Sequence, residues 1–137
     1  MRITRRMEFC AAHAYRNPRW SEAENRRVFG KAVNLHGHNY VLEVTVEGTP
    51  SPETGMVMDL KALKDLITDA VAERLDHRNL IVDVPEFRET IPTPENLAVW
   101  IWRQLQPRLT ECRLQRVCLR EDLSYWVDYL GEGAADA

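Results

Sequence analysis

Residues 36–47 read HGHNYVLEVTVE, and their alternation decides the fold. His36, His38, Tyr40, Leu42, Val44 and Val46 share one parity, while Gly37, Asn39, Glu43, Thr45 and Glu47 share the other. Period-two patterning rich in valine predicts a half-buried strand, and it sets both imidazoles on the strand's apolar face. Residues 2–13 alternate in the same way. Ile3, Met7, Phe9, Ala11 and His13 lie on one parity, with Arg6, Glu8 and Cys10 on the other. The last inward residue of that strand is again a histidine.

The connection between the two strands, AYRNPRWSEAENRRVFGKAVNL (14–35), is long for a hairpin, and connections of this length often carry function. Ser21 followed by Glu24 fits a capping box and predicts a short helix inside it. Downstream, EGTPSPETG (47–55) closes the second strand. MDLKALKDLITDAVAERLDH (58–77) predicts a helix capped by Asp59, with Leu60, Leu63, Leu66, Ile67, Ala70, Val71 and Leu75 as its apolar stripe. Asp76 and His77 fall at or just past its end. RNLIVDVPEFRETIP (78–92) reads as a loop. Thr93 then caps a second helix with Pro94 at its first position. Leu97, Trp100, Ile101 and Leu105 form its buried stripe, and Pro107 ends it. Residues 114–121 and 124–130 read as two more strands, and GEGAADA (131–137) as a frayed tail. The order is ββααββ. The simplest α+β solution is a four-stranded antiparallel sheet with two helices on one face, in a single domain over residues 1–130.

Composition narrows the function. At 137 residues the chain is long enough for a real core. A formal charge of −3 argues against a nucleic-acid partner. No apolar run is long enough to span a bilayer, and MRITRRMEF alternates charge and hydrophobe where a signal peptide would not. Cys10, Cys112 and Cys118 are odd in number and lack zinc-type spacing, as expected of reduced thiols in a cytoplasmic protein.

The histidines carry the first chemistry. If the two long strands pair, His13, His36 and His38 converge at one end of the sheet. Three neutral imidazoles with an open fourth position is the pattern of a catalytic zinc site, Zn²⁺. A lone inward histidine is usually a satisfied core residue, and H-x-H alone is a weak signal. Three inward histidines at the ends of consecutive strands, however, are costly without a shared partner. Asp76 beside His77 reads either as a helix-end pair or as a carboxylate orienting a general acid–base imidazole. Glu121 is inward by parity and needs donors, which a guanidine-like ring edge supplies in bidentate geometry; otherwise it is a strand-end side chain that escapes to water. Thr93 and Glu95 fit either a pocket lining or an ordinary cap and first-turn acid.

Together FCAAH (9–13), FGK (29–31), HGHNY (36–40), TGMVMDL (54–60), LDHRNL (75–80), DVPEF (83–87), TPENLAVWIW (93–102) and LRED (119–122) resemble the 6-pyruvoyltetrahydropterin synthase family. That family includes the 6-carboxytetrahydropterin synthases of queuosine biosynthesis. The resemblance covers residues 7–130 and implies the tunnelling fold, in which subunits join sheets edge to edge into trimers that stack into hexamers. Active sites then lie between subunits. It implies zinc on His13, His36 and His38, and a catalytic relay containing Asp76 and His77. Glu121 is implied to anchor the pterin's amino-pyrimidine edge, with Thr93 and Glu95 lining the pocket. The implied substrate is 7,8-dihydroneopterin triphosphate, losing triphosphate to give 6-pyruvoyltetrahydropterin. Lys31, Arg26 and Arg27 are candidates to meet the triphosphate, although a solvated helix face accounts better for the arginines.

One position departs from the family pattern. The relay's third member is a cysteine a few residues before HGH, and the matching position here is Ala32. Cys10 lies on the strand of His13 but on the opposite parity, so it should point away from the metal. Three readings are open: a natural alanine with another base (some relatives use a glutamate), an introduced alanine that traps substrate, or a member that binds metal and pterin without turnover. The 6-carboxytetrahydropterin reaction is the alternative activity. An unrelated three-histidine zinc hydrolase is a further one, which leaves Glu121 and TPEN unexplained.

Overall fold

The two alternating stretches form one long hairpin, strands β1 (Arg2–His13) and β2 (His36–Glu47), paired antiparallel in full register from Arg2↔Glu47 to His13↔His36. The computed structural model describes residues 1–133. The register sets Met7 opposite Leu42 and Phe9 opposite Tyr40, whose rings stack at 4.9 Å. A one-residue slip would carry the whole apolar set to the other face, so burial holds this register.

Helix α1 (Glu22–Phe29) lies in the connection, and Ser21 Oγ accepts from the N–H of Glu24, as the capping pattern predicts. Glu24 turns its carboxylate to Arg27 instead of back to the cap. A 3₁₀ turn, Gly30–Val33, then leads into β2.

The helix expected over 58–77 runs as α2 (Leu60–Ile67), a π turn (Thr68–Ala72) and α3 (Glu73–Leu75). Asp59 caps α2, accepting from the N–H of Lys61 at 2.9 Å. The π turn has a cause in the sequence. Leu63, Ile67, Val71 and Leu75 recur every four residues and all are fully buried. A spacing of four overruns about 3.6 residues per turn, and one wide turn absorbs the excess residue.

The segment 78–92 is not a plain loop. It holds β3 (Arg78–Asn79), α4 (Leu80–Asp83) and a 3₁₀ turn, Pro85–Arg88, with Leu80, Val84 and Phe87 buried. Helix α5 (Pro94–Leu105) follows, capped by Thr93 Oγ1 on the N–H of Asn96. Strands β4 (Arg113–Asp122) and β5 (Tyr125–Tyr129) close the sheet.

The sheet order is β3-β1-β2-β4-β5. The four long strands are antiparallel, as expected, and β3 adds a fifth, pairing parallel with Ala11 and Ala12 on the edge of β1. Two residues with little alternation carry no strand signal of their own. Helices α2 and α5 cover one face, where Leu63, Ile67, Leu97 and Ile101 join Leu42, Val44, Val117 and Leu119 in a single core. No helix of the described residues is long and apolar enough to cross a membrane. Of the expected tail, Gly131 abuts the Trp102 ring and Glu132 pairs with Arg103 at 2.6 Å; residues 134–137 lie outside the described residues.

Candidate functional site

The hairpin register alone brings three imidazoles together. His13 ends β1, His36 begins β2 directly opposite it, and His38 lies two residues on. Ring centroids are separated by 4.6 Å (His13–His36), 5.0 Å (His13–His38) and 5.1 Å (His36–His38). Glu121, near the end of β4, completes the group, and one donor atom from each of the four lies within 4.8 Å of the others. Gly37 separates the two histidines for a steric reason: a Cβ there would meet the carbonyl oxygen of Ala11 at 3.2 Å.

Two rings are held by backbone carbonyls. His13 Nδ1–H donates to the Pro92 carbonyl at 2.8 Å, and His36 Nδ1–H donates to the Asn34 carbonyl at 2.7 Å, the tautomer in each case assigned from the acceptor. Fixing the proton on Nδ1 leaves Nε2 with its lone pair directed into the cluster, the arrangement of a metal-ligating histidine. Nε2 of His13 and Nε2 of His38 are buried without a hydrogen-bond partner. His38 Nε2 lies 2.8 Å from Glu121 Oε1, yet without hydrogen-bond alignment. Burying such atoms unpaired costs roughly 1–3 kcal/mol each. A divalent cation bound to the nitrogens removes that cost, so the three imidazoles fit zinc.

Electrostatics keep two of the imidazoles, His13 and His38, in the neutral, binding form. Burial, with smaller contributions from His36 and His38, pulls His13 down to about 4, against the raising effect of its bond to Pro92. Burial and His36 likewise lower His38. Glu121 is pushed up, chiefly by burial and in part by the charge of Glu95. Tyr15 donates weakly to its Oε2 at 3.5 Å, and Tyr125 is near enough to offset part of the rise. Tyr15 and Tyr125 were not among the residues singled out in the sequence. Neither lies in a metal-type motif, and only the fold brings them to β4.

A second group forms where the chain enters β3 beside β1. His77 Nδ1 lies 3.0 Å from Asp76 Oδ1, so the adjacent pair does make the contact that spacing left open. The same carboxylate accepts the backbone N–H of Cys10 at 3.0 Å, and that bond is the main reason Asp76 is held below the usual aspartate range. The backbone N–H of His77 donates to the Cys10 carbonyl at 2.6 Å, and His77 has φ 60°, a left-handed conformation uncommon for residues other than glycine. Cys10 Sγ, Asp76 and His77 have donor atoms within 4.8 Å of one another. By strand alternation Cys10 faces away from the histidine cluster, as expected, and toward the Asp76–His77 pair. The two groups therefore sit on opposite sides of β1 within one chain.

The remaining candidates separate. Thr93 uses its hydroxyl as the α5 cap, and Glu95 is exposed but close enough to act on Glu121. Lys31 is exposed on the turn before β2. Arg26 and Arg27 pair with Glu22 and Glu24 of their own helix, the arrangement of a solvated face. Ala32 lies in the same turn as Lys31, and its carbonyl accepts from the N–H of Tyr15 at 2.8 Å.

Residues 2–132 match the family described as 6-pyruvoyl tetrahydropterin synthase. A 6-pyruvoyl tetrahydrobiopterin synthase of Dictyostelium discoideum is 41% identical over 130 residues, covering 95% of this chain and 96% of that protein. The structure of the Caenorhabditis elegans 6-pyruvoyl tetrahydropterin synthase superposes with a TM-score of 0.91 at 36% identity, covering 96% of each chain. A dihydroneopterin monophosphate aldolase of Pyrococcus furiosus is 38% identical over 130 residues, covering 93% of this chain and 95% of that protein.

Proposed function

Since the chain belongs to the 6-pyruvoyl tetrahydropterin synthase family, we propose that it is a zinc-dependent lyase that eliminates triphosphate from 7,8-dihydroneopterin triphosphate, giving 6-pyruvoyltetrahydropterin. The observation that carries this reading is the convergence of His13, His36 and His38 with two buried, unpaired Nε2 atoms beside Glu121. The three histidines hold the metal. Bound there, zinc supplies Lewis acidity toward side-chain oxygens, which acidifies the neighbouring C–H.

The chain's own residues do the rest. Glu121 receives the amino-pyrimidine edge of the pterin, with Tyr15 and Tyr125 steadying its carboxylate. Thr93 and Glu95 border that pocket, and Lys31 meets the triphosphate. Asp76 keeps the His77 ring oriented for proton transfer. Because Asp76 and His77 stand across β1 from the histidine cluster, the complete site forms between subunits of a trimer or hexamer, with His77 serving a neighbour's pterin. Ala32 occupies the position at which the family resemblance places a thiol, so the proton-transfer groups differ from the family pattern there.

A second reading is carbon–carbon cleavage of a dihydroneopterin phosphate, favoured by the 38% identity to the Pyrococcus furiosus aldolase. The deciding experiment incubates the zinc-loaded chain and Ala32→Cys with 7,8-dihydroneopterin triphosphate, and assays released triphosphate and the pterin product. Triphosphate release by the native chain supports the lyase. A hydroxymethyl pterin with its phosphate ester intact in the cleaved fragment identifies the aldolase. A 6-carboxy product assigns the related carboxypterin reaction. Release only after Ala32→Cys marks a relay without turnover, and no pterin binding by either protein defeats the assignment.

A further inference from the structure

Ala32 leaves the relay without a thiol on the β2 side, and the fold places a different thiol against the relay itself. Cys10 is bound to the Asp76–His77 pair in three ways. Its N–H donates to Asp76, its carbonyl accepts from His77, and its Sγ lies within 4.8 Å of donor atoms of both side chains. Cys10 and His77 also line a common pocket of about 420 Å³ together with His38 and Asn39. A substrate in this pocket meets both Cys10 and His77, whose donor atoms lie within 4.8 Å of one another. Cys10 is partly accessible, whereas Cys118 is fully buried and pushed up to about 11 by burial.

We propose that Cys10 is the proton-transferring thiol of this site, acting with His77 and Asp76 of the same chain. The proposal rests on the lyase reading above. His77 accepts the thiol proton, giving a thiolate and an imidazolium that Asp76 stabilises. The thiolate takes a proton from a side-chain carbon of the pterin, re-forming S–H, and the C–H electron pair stays on the substrate as an enolate. The imidazolium returns its proton to the substrate at the neighbouring atom. Thiol and imidazole end as they began, with no net proton gained and no oxidant or reductant required. The positive φ of His77 is an uncommon backbone conformation of the kind that clusters at functional sites.

The test has two arms. In the first, zinc-loaded native chain, Cys10→Ala and Cys10→Ser are assayed for triphosphate release, with metal content measured in each. The expected result is a loss of about 100-fold or more in both variants, with zinc unchanged. In the second, iodoacetamide labelling is followed site by site by peptide mass spectrometry, in the native chain and in His77→Asn. Cys10 should label about 10-fold faster in the native chain, and neopterin should protect it. Cys10 variants within a few-fold of an active native chain overturn the proposal and leave the lyase reading standing. Equal labelling of Cys10 with and without His77 overturns it also. A native chain that neither binds pterin nor releases triphosphate overturns the lyase reading, and this proposal with it.

Discussion

Oε1 of Glu121 stands 2.8 Å from Nε2 of His38, and the two share no hydrogen bond. With zinc on Nε2 of His38, the Glu121 carboxylate faces bound positive charge, and removing the metal strips it of that partner. Zinc removal should therefore destabilise the chain beyond the loss of ligand binding, by on the order of 10 °C in Tm, from the linkage of a tightly bound metal to folding. In Glu121→Gln the amide can donate to His38 Nε2, so the Tm difference between zinc-loaded and chelated protein should shrink. Scanning calorimetry of both proteins, with and without chelator, checks this. An undiminished difference in the variant would show that the carboxylate does not contribute to the cost of losing the metal.

The hairpin and its histidines were legible because β-sheet parity is strict. Residues 36–47 and 2–13 alternate cleanly, so the convergence of His13 with His36 and His38 followed from a single pairing assumption. Both long helices were legible for the same kind of reason, as were their caps at Asp59 and Thr93. What could not be read is long-range. Cys10 points away from the metal, as its parity implies, but nothing local says that the chain returns after Leu75 to set Asp76 and His77 against it. The left-handed φ of His77 is not readable either, since even the residue types enriched in that conformation adopt it in only a minority of places. Tyr15 and Tyr125 reach Glu121 through three different elements, and no spacing within one element encodes that meeting.

The buried His13 gives the metal-free chain a pH dependence with a defined sign. Its ordinary value of 6.5 falls to about 4 in the native state. Between those values the unfolded chain binds a proton that the folded chain refuses, so stability falls as pH drops from 6.5 toward 4. The slope is at most about 1.4 kcal/mol per pH unit, or about 3 kcal/mol across the window. Glu121 works in the opposite direction, because its raised value favours proton uptake by the folded state above the ordinary glutamate range. The His13 contribution is therefore isolated as a difference. Urea unfolding of chelated native chain and His13→Gln, at intervals between pH 7 and pH 4, should show the steeper acid loss in the native chain. Parallel curves would refute a neutral buried His13.

The glycine between the two histidines makes the last prediction. Gly37 faces Ala12 across the hairpin, and an added Cβ would lie 3.2 Å from the carbonyl oxygen of Ala11 and 3.8 Å from the Cα of Ala12. Both neighbours are backbone atoms, so β1 must move and cannot simply rotate a side chain away. Gly37→Ala should fold but lose about 1 kcal/mol, and Gly37→Val more, in the range of overpacked sites. A shift of β1 at Ala11 and Ala12 also moves His13, one residue on, relative to His36 and His38. Zinc affinity should therefore fall about 10-fold in Gly37→Ala, in line with other losses of ligand orientation. Competition with a chromophoric chelator measures that affinity, and denaturant melts of the metal-free proteins measure the packing cost separately. Unchanged zinc affinity alongside a reduced melting midpoint would mean that the strain relaxes elsewhere in the hairpin and leaves the three imidazoles in place.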